Sequence, residues 1–270
     1  MGIEGARQPP LAGRRVALTG PAGRDAGLAD AIAAVGGVAR EYPLIAFTPA
    51  PAGGPLDRAL AGLSRYDWLL FTSATAPAFV AERLAAVRGS SALPRIAAVG
   101  PSTARAVEAH FATPDFVAET HTARAMAAEL IAAGVRGRLL FPAADIASSD
   151  LAECLLAAGA EVETVTAYLT RPGDGGLALA AAIDEGELDV VLLASPSAAR
   201  GLGDAVRARP QRPAGDRMPA ILCIGPSTAA AARAIGLEVA SVAADHTREG
   251  LLRALIGWFE RHPGSSHASV

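Results

Sequence analysis

Small hydroxylated loops that open onto helices are the part of this chain with chemistry to offer. Five segments share that character: LTGPAG at residues 18–23, FTSATA at 71–76, VGPSTA at 99–104, ASPSAA at 194–199 and IGPSTA at 224–229. Each follows an apolar run and precedes helical spacing, so each presents the unpaired N–H groups and positive dipole end of a helix start. In the two GPST segments the glycine permits a tight turn and the proline suits the first helical turn. A serine or threonine then caps the helix. Such loops suit carboxylates or phosphates. Hydroxyls at helix starts are also ordinary caps in any α/β protein, but five at equivalent positions point to ligand binding by the set. The candidates are Thr19, Ser73, Ser102, Thr103, Ser195, Ser197, Ser227 and Thr228.

Composition narrows the chemistry. The 270 residues contain no lysine, so all 24 basic residues are arginine, against 27 acidic ones for a net charge of −3. Schiff-base catalysis, a pyridoxal phosphate anchor, a biotin attachment site and a P-loop all require that missing amine. The charge balance and the lack of a basic block argue against nucleic acid or an anionic membrane as partner. No stretch has the length of a transmembrane helix or the pattern of a signal peptide, so a soluble cytoplasmic protein is expected. Cys154 and Cys223 lie in apolar segments and read as reduced core thiols. No dinucleotide fingerprint follows the first strand, and no nucleophile elbow occurs. His121 and His246 each precede a threonine in what reads as a helix-capping turn, and the acidic residues lack paired spacing. No metal site is expected.

The elements that must position these loops alternate strand and helix. RRVALTG at residues 14–20 leads to helical spacing over 25–35. The pattern returns at DWLLFTS with a helix to about residue 87, at RIAAVGPS with a helix to His110, at GRLLFPA with a helix ending at Gly159, and at DVVLLAS and ILCIGPS. The strands are continuous apolar runs, as in parallel sheets covered on both faces. The chain also repeats itself. AAVGPSTARAVEA from Ala97 returns as LCIGPSTAAAARA from Leu222, and VAETHTARAMAAELI from Val117 as VAADHTREGLLRALI from Val242, both 125 positions on. DWLLFTSATA pairs with DVVLLASPSA at an offset of 122. Two similar doubly wound lobes with a ligand cleft between them follow.

These motifs carry a resemblance. DWLLFTSATAPAFV, IAAVGPSTARAVEA, GAEVETVTAYLT, DVVLLASPSAA, ILCIGPSTAAAARAIGLEV and HTREGLLRAL, in that order, resemble the signature segments of the uroporphyrinogen-III synthase family over residues 14–259. The resemblance implies two α/β lobes joined by a two-stranded ladder. One lobe would hold residues 14–40 plus 172–262 and the other 48–163, with linker strands at 41–47 and 164–171. Residues 1–13 and 263–270 are expected to be disordered. It further implies a cofactor-free reaction. The linear hydroxymethylbilane loses its terminal hydroxyl as water, inverts its last pyrrole through a spirocyclic intermediate and closes as uroporphyrinogen III. Tyr168 matches the tyrosine that assists departure of the hydroxyl, and the hydroxylated loops match carboxylate-binding positions. A monomer is expected, with hydroxymethylbilane synthase as a transient partner. The chain departs from the family at Gly20, Ala143 and Ser148, where many members carry arginine. Arg24 and Arg171 are the candidate substitutes. Those departures leave open a second reading, a non-catalytic binder of a tetrapyrrole or other polycarboxylate.

Overall fold

A computed structural model describes residues 8–87, 92–209 and 218–263. The chain divides into two compact units. One holds the described residues up to Ala46 and from Arg171 onward; the other is Phe47–Thr170.

The first unit is built on β1 (Arg15–Leu18), β2 (Val38–Glu41), β9 (Val190–Leu193), β10 (Ala220–Cys223) and β11 (Ser241–Val242). They form a sheet in the order β11-β10-β9-β1-β2, with every pair parallel. The central β9, VVLL, is buried at all four residues, whereas the edge strand β2, VARE, leaves three exposed. Helices α1 (Ala26–Ala34), α7 (Gly176–Asp184), α8 (Pro196–Arg207), α9 (Pro226–Ala234) and α10 (Arg248–Arg261) supply the flanking layers. Two separate apolar clusters, one containing Leu179, Leu202 and Ala229 and the other Leu28, Ile32 and Leu255, make up the core. Both faces of the sheet are therefore covered, which is why its strands need no polar alternation.

The second unit has β4 (Trp68–Phe71), β5 (Arg95–Ala98), β6 (Phe116–Val117), β7 (Arg138–Ala144) and β8 (Glu161–Pro172), parallel throughout, in the order β8-β7-β4-β5-β6. Strand β3 (Ile45–Pro49) adds to the outside of β8. The N–H of Gly173 donates to the Leu44 carbonyl and that of Ala50 to Ala167, so β3 and β8 run in opposite directions. Helices α2 (Pro55–Ala61), α3 (Ala76–Val87), α4 (Pro101–His110), α5 (Ala123–Ala132) and α6 (Asp150–Ala157) cover this sheet. The expected linker strand at 41–47 is shorter than foreseen: residues up to Glu41 belong to β2, and β3 begins only at Ile45. The expected disorder up to residue 13 also needs correcting. Leu11 is fully buried and its N–H bonds the Val35 carbonyl, because the turn before β1 packs on the end of α1. Residues 1–7 and 264–270 lie outside the described residues.

Strand order extends the duplication beyond the repeated motifs. Residues 15–49 align without a gap on 138–172, pairing Arg15 with Arg138, Leu28 with Leu151, Ala29 with Ala152, Gly36 with Gly159 and Pro49 with Pro172. The pairs are structurally equivalent: Leu28 and Leu151 are buried on α1 and α6. Gly36 and Gly159 end those helices at φ +86° and +85°, where a side chain would be strained. The chain is thus a tandem repeat whose two copies exchange strands. β1 and β2 share a sheet with the second copy's β9, β10 and β11, while β7 and β8 share one with the first copy's β3, β4, β5 and β6.

Candidate active site

In open parallel sheets ligands bind beyond the carboxyl ends of the strands, where strand order reverses. That point falls between β1 and β9 in the first unit and between β7 and β4 in the second. The predicted residues are found at these ends.

In the second unit Ser73 lies in the loop leaving β4. Its Oγ accepts the N–H of Ala76, the first residue of α3, at 3.2 Å, and lies 3.2 Å from the Tyr168 hydroxyl. Tyr168 is 5% exposed, its ring stacked on Phe79 at 5.2 Å and edge-on to Phe47 at the same distance. A bulge aims it there. Thr166 pairs with Ala143, but Ala144 pairs with Tyr168, so Ala167 is passed over. Val165, Ala167 and Tyr168 consequently join one apolar cluster; regular alternation would have turned Tyr168 to the opposite face. The structure brings Ser73 and Tyr168 together, and the sequence had no signal for their contact.

The GPST starts are built alike. Gly100 and Gly225 precede α4 and α9 in extended conformation, and no side-chain hydrogen bond caps either helix. Ser102 and Ser227 are exposed, whereas Thr103 and Thr228 are 4% and 1% exposed. The backbone donors of these first turns are left for a ligand or solvent. His121 and His246 lie against the glycines: a Cβ on Gly100 would come within 2.8 Å of His121 Cδ2, and one on Gly225 within 3.0 Å of His246 Cδ2. The capping itself belongs to the following threonines. Thr122 accepts from Ala125 and Thr247 from Gly250.

In the first unit, Ser195 caps α8 by accepting the Ala198 N–H at 3.1 Å, and Ser197 Oγ accepts from Arg200 at 3.0 Å. Thr19 is 1% exposed and its hydroxyl donates to the Leu192 carbonyl at 2.7 Å, tying β1 to β9. Beside it, the buried Asp25 accepts the Gly20 N–H at 3.1 Å and pairs with Arg248 Nε at 3.4 Å. Neither Asp25 nor Arg248 was among the sequence candidates, because 223 residues separate them. Of the other departures, Ala143 is buried in the β7 core, and Ser148 bonds Asp150 at the entrance of α6. Arg24 and Arg171 are exposed.

Burial also disposes of the Cys223 thiol. It pushes Cys223 up to about 11, so this cysteine stays protonated and unreactive at neutral pH. A depression of about 730 Å³ lies at the opposite, amino ends of β4, β5 and β7. Its carboxylates are committed to the fold: Asp67 accepts the Arg138 N–H and Asp115 that of Ile96, each at 2.8 Å.

Residues 26–253 match the family described as Uroporphyrinogen-III synthase HemD. The chain belongs to the uroporphyrinogen-III synthase family. Uroporphyrinogen-III synthases are cyclising lyases of tetrapyrrole biosynthesis, and the family defines this chain as one of them. The uroporphyrinogen-III synthase of Synechococcus elongatus is 29% identical over 261 residues, covering 93% of this chain and 97% of that one. The porphyrin biosynthesis protein HemD of Ruminiclostridium josui is 27% identical over 237 residues, 85% of this chain but 45% of that longer one. Among solved structures, a mutant uroporphyrinogen III synthase from Thermus thermophilus superposes with a TM-score of 0.61 at 22% identity, covering 92% of this chain and 99% of that one. The Helicobacter pylori enzyme gives 0.61 at 16% identity, with 90% and 99% covered. These structures share the α/β fold. Among the described residues no helix is long and apolar enough to cross a membrane.

Proposed function

We propose that this uroporphyrinogen-III synthase family member takes hydroxymethylbilane, releases its terminal hydroxyl as water with a proton lent by Tyr168, and closes the macrocycle after inverting the last pyrrole. The observation that carries this reading is the setting of Tyr168. Its ring is clamped between Phe79 and Phe47, and its hydroxyl meets Ser73 at the carboxyl end of the second unit's sheet. A fixed phenol suits a general acid, and an electron-rich bilane needs little more than a proton and a confining shape. The bond from the terminal carbon to oxygen breaks with its electron pair going to oxygen, and the pyrrole nitrogen feeds the carbon left behind. The proton returns to Tyr168 when the closed ring regains aromaticity, so only water is lost.

The substrate's carboxylates are assigned to the helix starts carrying Ser102, Thr103, Ser227 and Thr228, with Ser195 and Ser197 on α8 and Thr19 beside it. Their role is hydrogen bonding and not nucleophilic attack. The reading invokes no cofactor and takes the chain as a cytoplasmic monomer that receives substrate from hydroxymethylbilane synthase. Coupled to that enzyme, the protein is expected to turn the product from the type I to the type III isomer. Product that stays type I would overturn this reading.

A further inference from the structure

We infer that Ser73 is a positioning residue for Tyr168: it relays the positive end of α3 to the phenol oxygen and stabilises the charge left there when the proton is given up. The inference rests on the reading of Tyr168 as proton donor. A serine hydroxyl carries one proton and two acceptor sites. One acceptor site is filled by the Ala76 N–H at 3.2 Å, a bond in which the backbone can only donate. The proton therefore remains for a partner, and the Tyr168 oxygen lies at 3.2 Å. In the resting state either hydroxyl can donate. Once Tyr168 has given its proton to the departing hydroxyl, its oxygen can only accept, and Ser73 must be the donor.

The contact is thus stronger in the transition state than in the ground state, the condition for accelerating a step and not merely tightening binding. The bond from Ala76 at the first turn of α3 polarises the serine hydroxyl in the same sense. Ring placement does not depend on Ser73, because Phe79 stacks on the ring and Phe47 packs against it edge-on. Loss of the serine hydroxyl should therefore remove charge stabilisation while leaving the ring in its seat.

The test is a double-mutant cycle with isomer-resolved kinetics. Ser73→Ala is expected to lower kcat about tenfold with KM changed by less than about twofold, and Ser73→Thr to recover to within about threefold of the parent. In a Tyr168→Phe background, Ser73→Ala should change kcat by less than about twofold. A loss of equal size in both backgrounds, or a raised KM at unchanged kcat, would overturn the inference and make Ser73 a direct substrate contact. A second arm needs no turnover: the tyrosine Raman doublet of Tyr168, isolated by subtracting the Tyr168→Phe spectrum, reports how its hydroxyl is hydrogen-bonded. Its intensity ratio should change in Ser73→Ala, and an unchanged ratio would mean the contact is absent. If the parent protein made only type I product, the functional reading and the positioning role would fail together. The Raman arm would then still show whether the contact itself exists.

Discussion

Gly20 illustrates how one residue's neighbours decide what a site can hold. A Cβ there would stand 2.2 Å from Asp25 Oδ2, so even alanine forces the carboxylate off the Gly20 N–H and away from Arg248. Gly20→Ala is expected to cost about 1–3 kcal/mol in urea denaturation, because a buried carboxylate loses its partners. With Asp25→Ala in the same chain, the added methyl should cost little more than Asp25→Ala alone; strict additivity would place the clash elsewhere. An arginine at this position is closed off by the same contact, and Arg248 supplies the nearby positive charge instead. Tyr168→Phe should keep thermal stability near the parent's, since its ring contacts with Phe79 and Phe47 survive, while kcat falls about a hundredfold. An unchanged rate of type III formation would remove Tyr168 from the mechanism.

At the scale of elements, β8 does two jobs at its two ends. Its carboxyl half carries the bulge that turns Tyr168 inward. Its amino half presents Glu163 to a polar cluster: the Tyr66 hydroxyl donates to Glu163 at 2.7 Å and Arg138 at 3.1 Å, with Arg138 also 5.2 Å over the Tyr66 ring. The bond from Tyr66 first, and the Arg138 and Arg65 charges after it, hold the Glu163 carboxyl below its ordinary range. A depressed carboxylate stabilises the fold above its unfolded value and loses that contribution as pH falls through the folded one. Glu163→Gln should therefore melt below the parent at pH 7, with the gap closing below about pH 4. The side chain is 34% exposed, so the effect is held to about 1 kcal/mol or less. A gap independent of pH would show that packing, not charge, sets it. The strand was expected only through the family resemblance; the bulge was not, because nothing in TVTAYLT says which residue the neighbouring strand passes over.

For the whole molecule, the exchanged repeat sets which pieces can stand alone. The second unit is one continuous segment with apolar clusters around Phe71 and Val80 and around Leu139 and Met126. Residues 47–170 alone are expected to unfold cooperatively in a thermal melt, whereas a broad, non-cooperative transition would mean that they borrow stability from the first unit. The first unit needs both ends of the chain. The Leu44 carbonyl accepts the Gly173 N–H at 3.0 Å, so a short linker between the two segments should restore a single foldable chain. Cutting between the repeats, near Arg136, instead leaves each fragment with strands of two different sheets.

The parallel α/β class was written in the sequence, through apolar runs that only doubly covered strands require. So were the helix starts that carry hydroxyls and the doubling of both. Those are local facts, held in neighbouring residues and their spacing. Folding in three dimensions settled the rest: which copy's strands complete which sheet, how Asp25 and Arg248 close the loop at Gly20, and which face receives Tyr168. Ser73 and Tyr168 are 95 residues apart and meet only because β4 and β8 flank β7 with a one-residue slip. No local pattern encodes a slip of register, yet a single residue of it chooses the face on which a side chain works.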